Sequence, residues 1–122
     1  MAREITSHRA GDAAGDALRV EALDLPSEGG APHRYRISPT AGNATGTLLE
    51  FQHGPVQAGV ANGLTIEALL AVCEDRLLGF QTGAFACSEN SDAIVAIRQA
   101  MAALHTRTKA RMARGVEGTR QP

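Results

Sequence analysis

The sequence predicts an α+β chain, a small N-terminal antiparallel β-sheet followed by a C-terminal antiparallel αα-hairpin, oligomeric through its long helices. Three observations carry this reading. Residues 34–38 alternate polar and apolar side chains, as half-buried strands do, and a second strand-like run, TLLEF, follows after a turn-rich connection. Residues 65–114 change to apolar spacings of three and four, broken only by the turn-rich stretch GFQTGAFACSEN at 79–90. The chain has only 122 residues, and much of its 43% hydrophobic content is alanine. Alanine buries little area, so one chain's core is thin and a second chain would add to it.

Residues 1–32 are rich in Ala, Gly, Asp and Pro, with GDAAGDA and PSEGGAP as loop signals. They form a variable segment, either disordered or supplying an edge strand through LRVEALDL. The sheet is expected over residues 33–63. RYRIS (Arg34 to Ser38) and TLLEF (Thr47 to Phe51) are its strands, joined by the turn-rich PTAGNATG. A third extended piece runs through Val56 and ends at GVANG.

The hairpin is expected over residues 64–119, the whole chain forming one domain. Thr65 can cap the first helix after the Asn62-Gly63 turn. Ile66, Leu69, Leu70, Cys73 and Leu77 make its apolar stripe, and Gly79 or Gly83 ends it. Ser88 is the expected N-cap of a second helix from about Glu89 to Arg114, stopped by Gly115. Its stripe of Ile94, Ile97, Met101, Leu104 and Thr108 has heptad spacing, suited to an antiparallel partner helix. The second helix is the longer, so its C-terminal third projects or meets another subunit.

Composition narrows the function classes. A net charge of −1 gives no global field for nucleic acid or membranes. Cys73 and Cys87 have no zinc-type spacing, and no signal peptide or membrane span is evident, so a reduced cytoplasm is the simplest compartment. His8, His33, His53 and His105 match no metal-ligand pattern. No phosphate loop or nucleophile motif is present, so neither catalysis nor a cofactor is expected.

The basic end is more informative. Arg107, Arg111 and Arg114 share one helix face and offer planar forks to phosphate oxygens. The same cations also suit a helix C-terminus or a solvated face. Asn90 lies on the same side as Arg111, but 21 residues separate them, roughly 30 Å of helix. One small ligand cannot touch both ends in one chain. Two chains with antiparallel second helices bring Asn90 of one to Arg107 and Arg111 of the other, giving two equal sites. Phe80 and Phe85 either close the hairpin tip or offer a ring to a base, with Phe85 the better plug.

Together the residues FQHGP, NGLTIEALL, GFQTGAFACSEN and RTKARMARGVEGT resemble the first family of phage Thoeris anti-defence proteins. That family shares a helical hairpin domain with the anti-CBASS cyclic-nucleotide sponges. The likeness covers about Arg34 to Thr119. It implies a non-enzymatic sponge in the host bacterial cytoplasm that holds a cyclic ADP-ribose isomer and so stops the Thoeris effector. Some members also take cyclic di- or trinucleotides elsewhere in a hexamer, so a dimer or a trimer of dimers is implied. The family's pocket, carried over residue by residue, implies Phe80, Asn90, Arg107 and Arg111 as ligand contacts, with Arg114 a further candidate. Departures are Ala84 where the family has Pro, VQAGVANG where an acidic residue and GVNG are expected, and GTR for GTH. The reading set against this one is a hairpin oligomerisation module or nucleic-acid adaptor using the basic end. It predicts strongly salt-dependent binding to long DNA or RNA.

Overall fold

The computed structural model describes residues 2–56 and 58–122. The sequence suggested one domain overall. The backbone instead gathers into two compact units, one reaching to Leu64 and one starting at Thr65.

The first unit is a four-stranded antiparallel meander, β1 (Arg3–Ile5), β2 (Leu18–Ala22), β3 (Arg34–Pro39) and β4 (Thr47–Glu50), in sequential order. A short helix, α1 (Ala13–Asp16), precedes β2. β3 and β4 lie where the sequence pattern predicted them. The opening segment is more ordered than its composition suggested: β1 and β2 supply half the sheet, and β2 is an interior strand rather than an edge. The cause is pairing, because β2 is bonded on both sides, with Val20 opposite Ile5 and Ile37 and Ala22 opposite Arg3 and Tyr35.

Cross-strand partners share a face. One face carries Ile5, Val20, Ala22, Tyr35, Ile37 and Leu49, with Ala22 fully buried. The other carries the charges, paired as Arg19–Glu4, Arg36–Glu21 and Arg34–Glu50 at 3.8, 3.3 and 3.1 Å. These pairs are partly or well exposed and contribute little to stability.

The connection from β2 to β3 is organised by Asp24, whose carboxylate accepts the backbone N–H of His33 and of Arg34. His33 is buried; its Nδ1 pairs with the Ser27 hydroxyl, and its ring stacks on His53 at 3.8 Å. Past β4, the third extended piece expected through Val56 is absent among the described residues. Phe51 pairs with Leu64 instead, and Asn62 clasps both backbone groups of His53. Gln52 in turn accepts the Asn62 N–H. Gly63 passes so close to Phe51 that a Cβ there would lie 2.5 Å from the Phe51 carbonyl carbon.

The second unit is the hairpin of α2 (Ile66–Gln81) and α3 (Ser88–Ala113). Thr65 caps α2 as expected, its side chain accepting the Ala68 N–H at 3.1 Å. Gly79 does not stop the helix, which continues to Gln81. α3 begins one residue earlier than expected: Cys87 is the N-cap, without a side-chain bond, and Ser88 is already helical. At the far end Gly115 takes φ 73, its N–H reaches Met112 and the Val116 N–H reaches Arg111. This is a Schellman motif, and glycine supplies the left-handed turn without strain.

Gln81–Ser91 and Glu74–Arg98 contacts, at 2.8 and 2.6 Å, set one antiparallel register. It places the start of α2 level with about Thr106, so α3 runs on beyond its neighbour. The stripe from Ile94 to Thr108 is buried or half-buried along its length, but only Ile94 is truly buried and no residue of α2 is. Ile66 and Cys73, expected in the α2 stripe, are exposed in the single chain.

Two outcomes test the first unit. Gly63→Ala forces a methyl against backbone and should cost about 2–3 kcal/mol, read as a lower urea midpoint. An unchanged midpoint would mean that the Phe51–Leu64 pairing yields freely. The Arg34 and His33 N–H groups also hold the Asp24 carboxyl below its ordinary value of 3.8. Its folded value is depressed, so its stabilisation is complete above the unfolded value of about 4 and is lost as pH falls through the folded one. Asp24→Ala should therefore flatten the acid side of the stability profile, measured by melts between neutral pH and pH values below that range.

Candidate functional site

The residues singled out by sequence fall into two groups at opposite ends of α3. Phe80 and Asn90 share the hairpin tip. Arg107, Arg111 and Arg114 share the far end. α3 is continuous from Ser88 to Ala113, so Asn90 and Arg111 stay roughly 30 Å apart. Within one chain they do not meet.

The tip is built around Gln81, which the sequence reading did not single out. Its Oε1 accepts the Cys87 N–H at 3.0 Å and the Asn90 amide at 3.1 Å. Its Nε2 donates to the Cys87 carbonyl at 3.0 Å and to the Ser91 hydroxyl at 2.8 Å. A glutamine at the last position of one helix, shortly before the next begins, was the available signal. It binds both backbone groups of the N-cap residue and so ties the end of α2 to the start of α3.

Asn90 is half-buried, and its second Nδ2 bond goes to the Phe85 carbonyl at 3.2 Å. Both its donors are thus used on the protein, while Oδ1 has no protein partner among the described residues. Phe80 remains 38% exposed with the Arg76 guanidinium 5.1 Å from its ring centroid. Phe85, expected to plug the tip, is 80% exposed. The amides of Gln81 and Asn90 close the connection through its backbone, so no ring is needed to fill it.

At the far end the three arginines differ. Arg107 is exposed and has no bonded partner among the described residues. Arg111 is half-buried and pairs with Glu117 at 3.0 Å while also donating to the carbonyls of Val116, Thr119 and Gln121. Arg114 donates to the Pro122 carbonyl. No cluster of three metal-ligating side chains occurs among the described residues, and none of their helices is long and apolar enough to cross a membrane.

Fold and geometry together define a small α+β chain whose terminal hairpin carries an amide-and-ring tip at one end and guanidinium groups at the other. The chain belongs to the Acb2/Tad1 hairpin-domain family, whose model matches residues 49–109. Phe80, Asn90 and Arg107 lie inside that span, and Arg111 and Arg114 lie just beyond it. The chain is also similar to a Bacillus phage SBSphiJ7 protein named "Thoeris anti-defense 1", 39% identical over 93 residues. That stretch is 76% of this chain and 64% of the relative, so it spans just under two thirds of the relative's length.

The tip's bonding predicts the cost of opening it. Asn90→Ala removes two bonds and should lower hairpin stability by about 1 kcal/mol; Gln81→Ala removes four and should cost about 2 kcal/mol. Urea melts followed by helical circular dichroism measure both. If neither moves the midpoint, the connection is held by something other than these amides.

Proposed function

We propose that this chain is a non-catalytic binding protein that sequesters a cyclic nucleotide immune signal and so blocks Thoeris-type anti-phage defence in the host bacterial cytoplasm. The ligand is a cyclic ADP-ribose isomer, with cyclic di- and trinucleotides as further candidates. Family membership and the relative's name support the defence role. The observation that carries the binding role is the division of ligand-competent groups between the two ends of one unbroken helix.

At the tip, Phe80 offers a partly exposed ring, and stacking a base on a well-placed ring is worth about 1–3 kcal/mol. Asn90 Oδ1 is an acceptor for a base N–H or a ribose hydroxyl. At the far end, Arg107 has its full set of donors free for a phosphate, with Arg111 beside it one turn on. Arg114 is a further contact. A second copy with its α3 antiparallel to the first joins tip to basic end twice, by symmetry. The same association covers the apolar side chains that the single hairpin leaves exposed, and a trimer of such dimers is the larger assembly consistent with it.

Sequestration demands tight binding, because each site removes one molecule; nanomolar affinity corresponds to about −12 kcal/mol. Stacking, charge-assisted bonds and enclosure between chains are the available sources.

Calorimetric titration against cyclic ADP-ribose isomers and cyclic di- and trinucleotides tests the reading. Tight, saturable binding of at least one is expected, with intact ligand released when the complex is heated. A cleaved product would make the protein an enzyme, and heat only with long nucleic acid, suppressed by salt, would make it an adaptor. Mixing Asn90→Ala and Arg111→Ala chains should restore some sites if each pocket draws on two chains.

A further inference from the structure

We propose that the C-terminal turn at residues 116–121, anchored by Glu117, competes with phosphate for the Arg111 guanidinium and so sets which anions this end of the site admits. The inference rests on the reading above that Arg111 meets a phosphate, and it adds a specificity determinant to that site.

An arginine has five N–H donors. Arg111 spends four of them on its own chain. Nε donates to Glu117 Oε1 at 3.0 Å, Nη1 to the Gln121 carbonyl at 2.6 Å, and Nη2 to the carbonyls of Val116 and Thr119 at 3.0 and 3.1 Å. One Nη1 hydrogen is left. A phosphate gripped by a guanidinium fork needs two parallel donors. No such pair is free on Arg111, so a bidentate phosphate must displace part of the turn.

The turn is built to wrap this one side chain. Gly115 and Gly118 take φ of 73 and 78, which reverses the chain around the end of α3. The Thr119 N–H and hydroxyl both bond to the Val116 carbonyl, closing the loop on itself. Glu117 supplies the negative charge opposite the guanidinium, standing where a phosphate oxygen would stand.

Arg107 is one turn back on α3 and carries no such burden. A single phosphate group can be served there without disturbing residues 116–121. An anion with two adjacent phosphates reaches Arg111 as well and gains enough to displace the turn. The competition filters out weaker anions at Arg111 and leaves pyrophosphate-bearing ligands as those that displace Glu117.

Hydrogen exchange and calorimetry on the full chain and on Glu117→Gln test this with inorganic phosphate, inorganic pyrophosphate and the cyclic ADP-ribose isomers as probes. In the unaltered protein, pyrophosphate should deprotect the Thr119 amide and its neighbours in the turn, while phosphate leaves them protected. Glu117→Gln, an exposed change that leaves the helix intact, should bind pyrophosphate about fivefold more tightly. Glu117→Asp should stay near the unaltered protein. A chain ended after Gly115 should match or exceed the gain of Glu117→Gln. Amides that remain protected in saturating pyrophosphate overturn the proposal, as does equal or weaker binding by Glu117→Gln. The pyrophosphate arm separates two failures: if it behaves as expected while no cyclic nucleotide binds, the competition stands and the sequestration reading falls.

Discussion

A helix of 26 residues paired with one of 16 is the constraint on which the rest of this structure depends. With α2 starting level with about Thr106, roughly 10 Å at the C-terminal end of α3 has no helical neighbour in its own hairpin. On that overhang sit Arg107 and Arg111, the guanidinium groups proposed to meet phosphate. The hairpin's interior is also poor, with Ile94 its one buried residue. A unit that buries so little apolar surface would gain stability by covering its exposed side chains, as the proposed second chain does. In the proposed assembly, stability and ligand chemistry would call for the same antiparallel neighbour.

The tip shows how a polar clasp frees aromatic side chains. Closing a tight helix-to-helix connection leaves the first N–H groups of the second helix without intrahelical partners. Here the amides of Gln81 and Asn90 join the connection at Cys87, Phe85 and Ser91. The sequence reading took Phe85 as the better plug for the tip. Hydrogen bonding closes it instead, and the ring is left 80% exposed. Phe85 is thereby left accessible, and Phe80 partly so beneath the Arg76 guanidinium.

What sequence could and could not reveal follows from the range of each interaction. Period-two alternation placed β3, a short apolar run between turn signals placed β4, and three-four spacing placed α2 and α3, because such patterns are local consequences of backbone geometry. Thr65 and Gly115 were legible as caps for the same reason. The roles of β1 and β2 were not, since composition dominated by Ala, Gly and Asp hides a strand that is stabilised by pairing on both sides. Of the candidate site, Phe80, Asn90 and the arginines could be named as expectations from spacing and resemblance. The Gln81 clasp and the wrapping of Arg111 could not, because each depends on contacts across a turn whose path no periodicity encodes.

The difference between Arg107 and Arg111 completes the argument. On a helical wheel they are neighbours of equal merit, and both were read as phosphate contacts. In the folded chain one is exposed and unpaired, while the other is held by a carboxylate and three carbonyls. Charge alone therefore overstates what Arg111 can offer, because its bonds to the turn must be given up before a fork is free. An affinity that draws on both arginines is a difference between ligand bonds gained and turn bonds lost. Under the proposed competition such a difference would sharpen selection, since an anion too weak to replace Glu117 would meet Arg107 alone of the two.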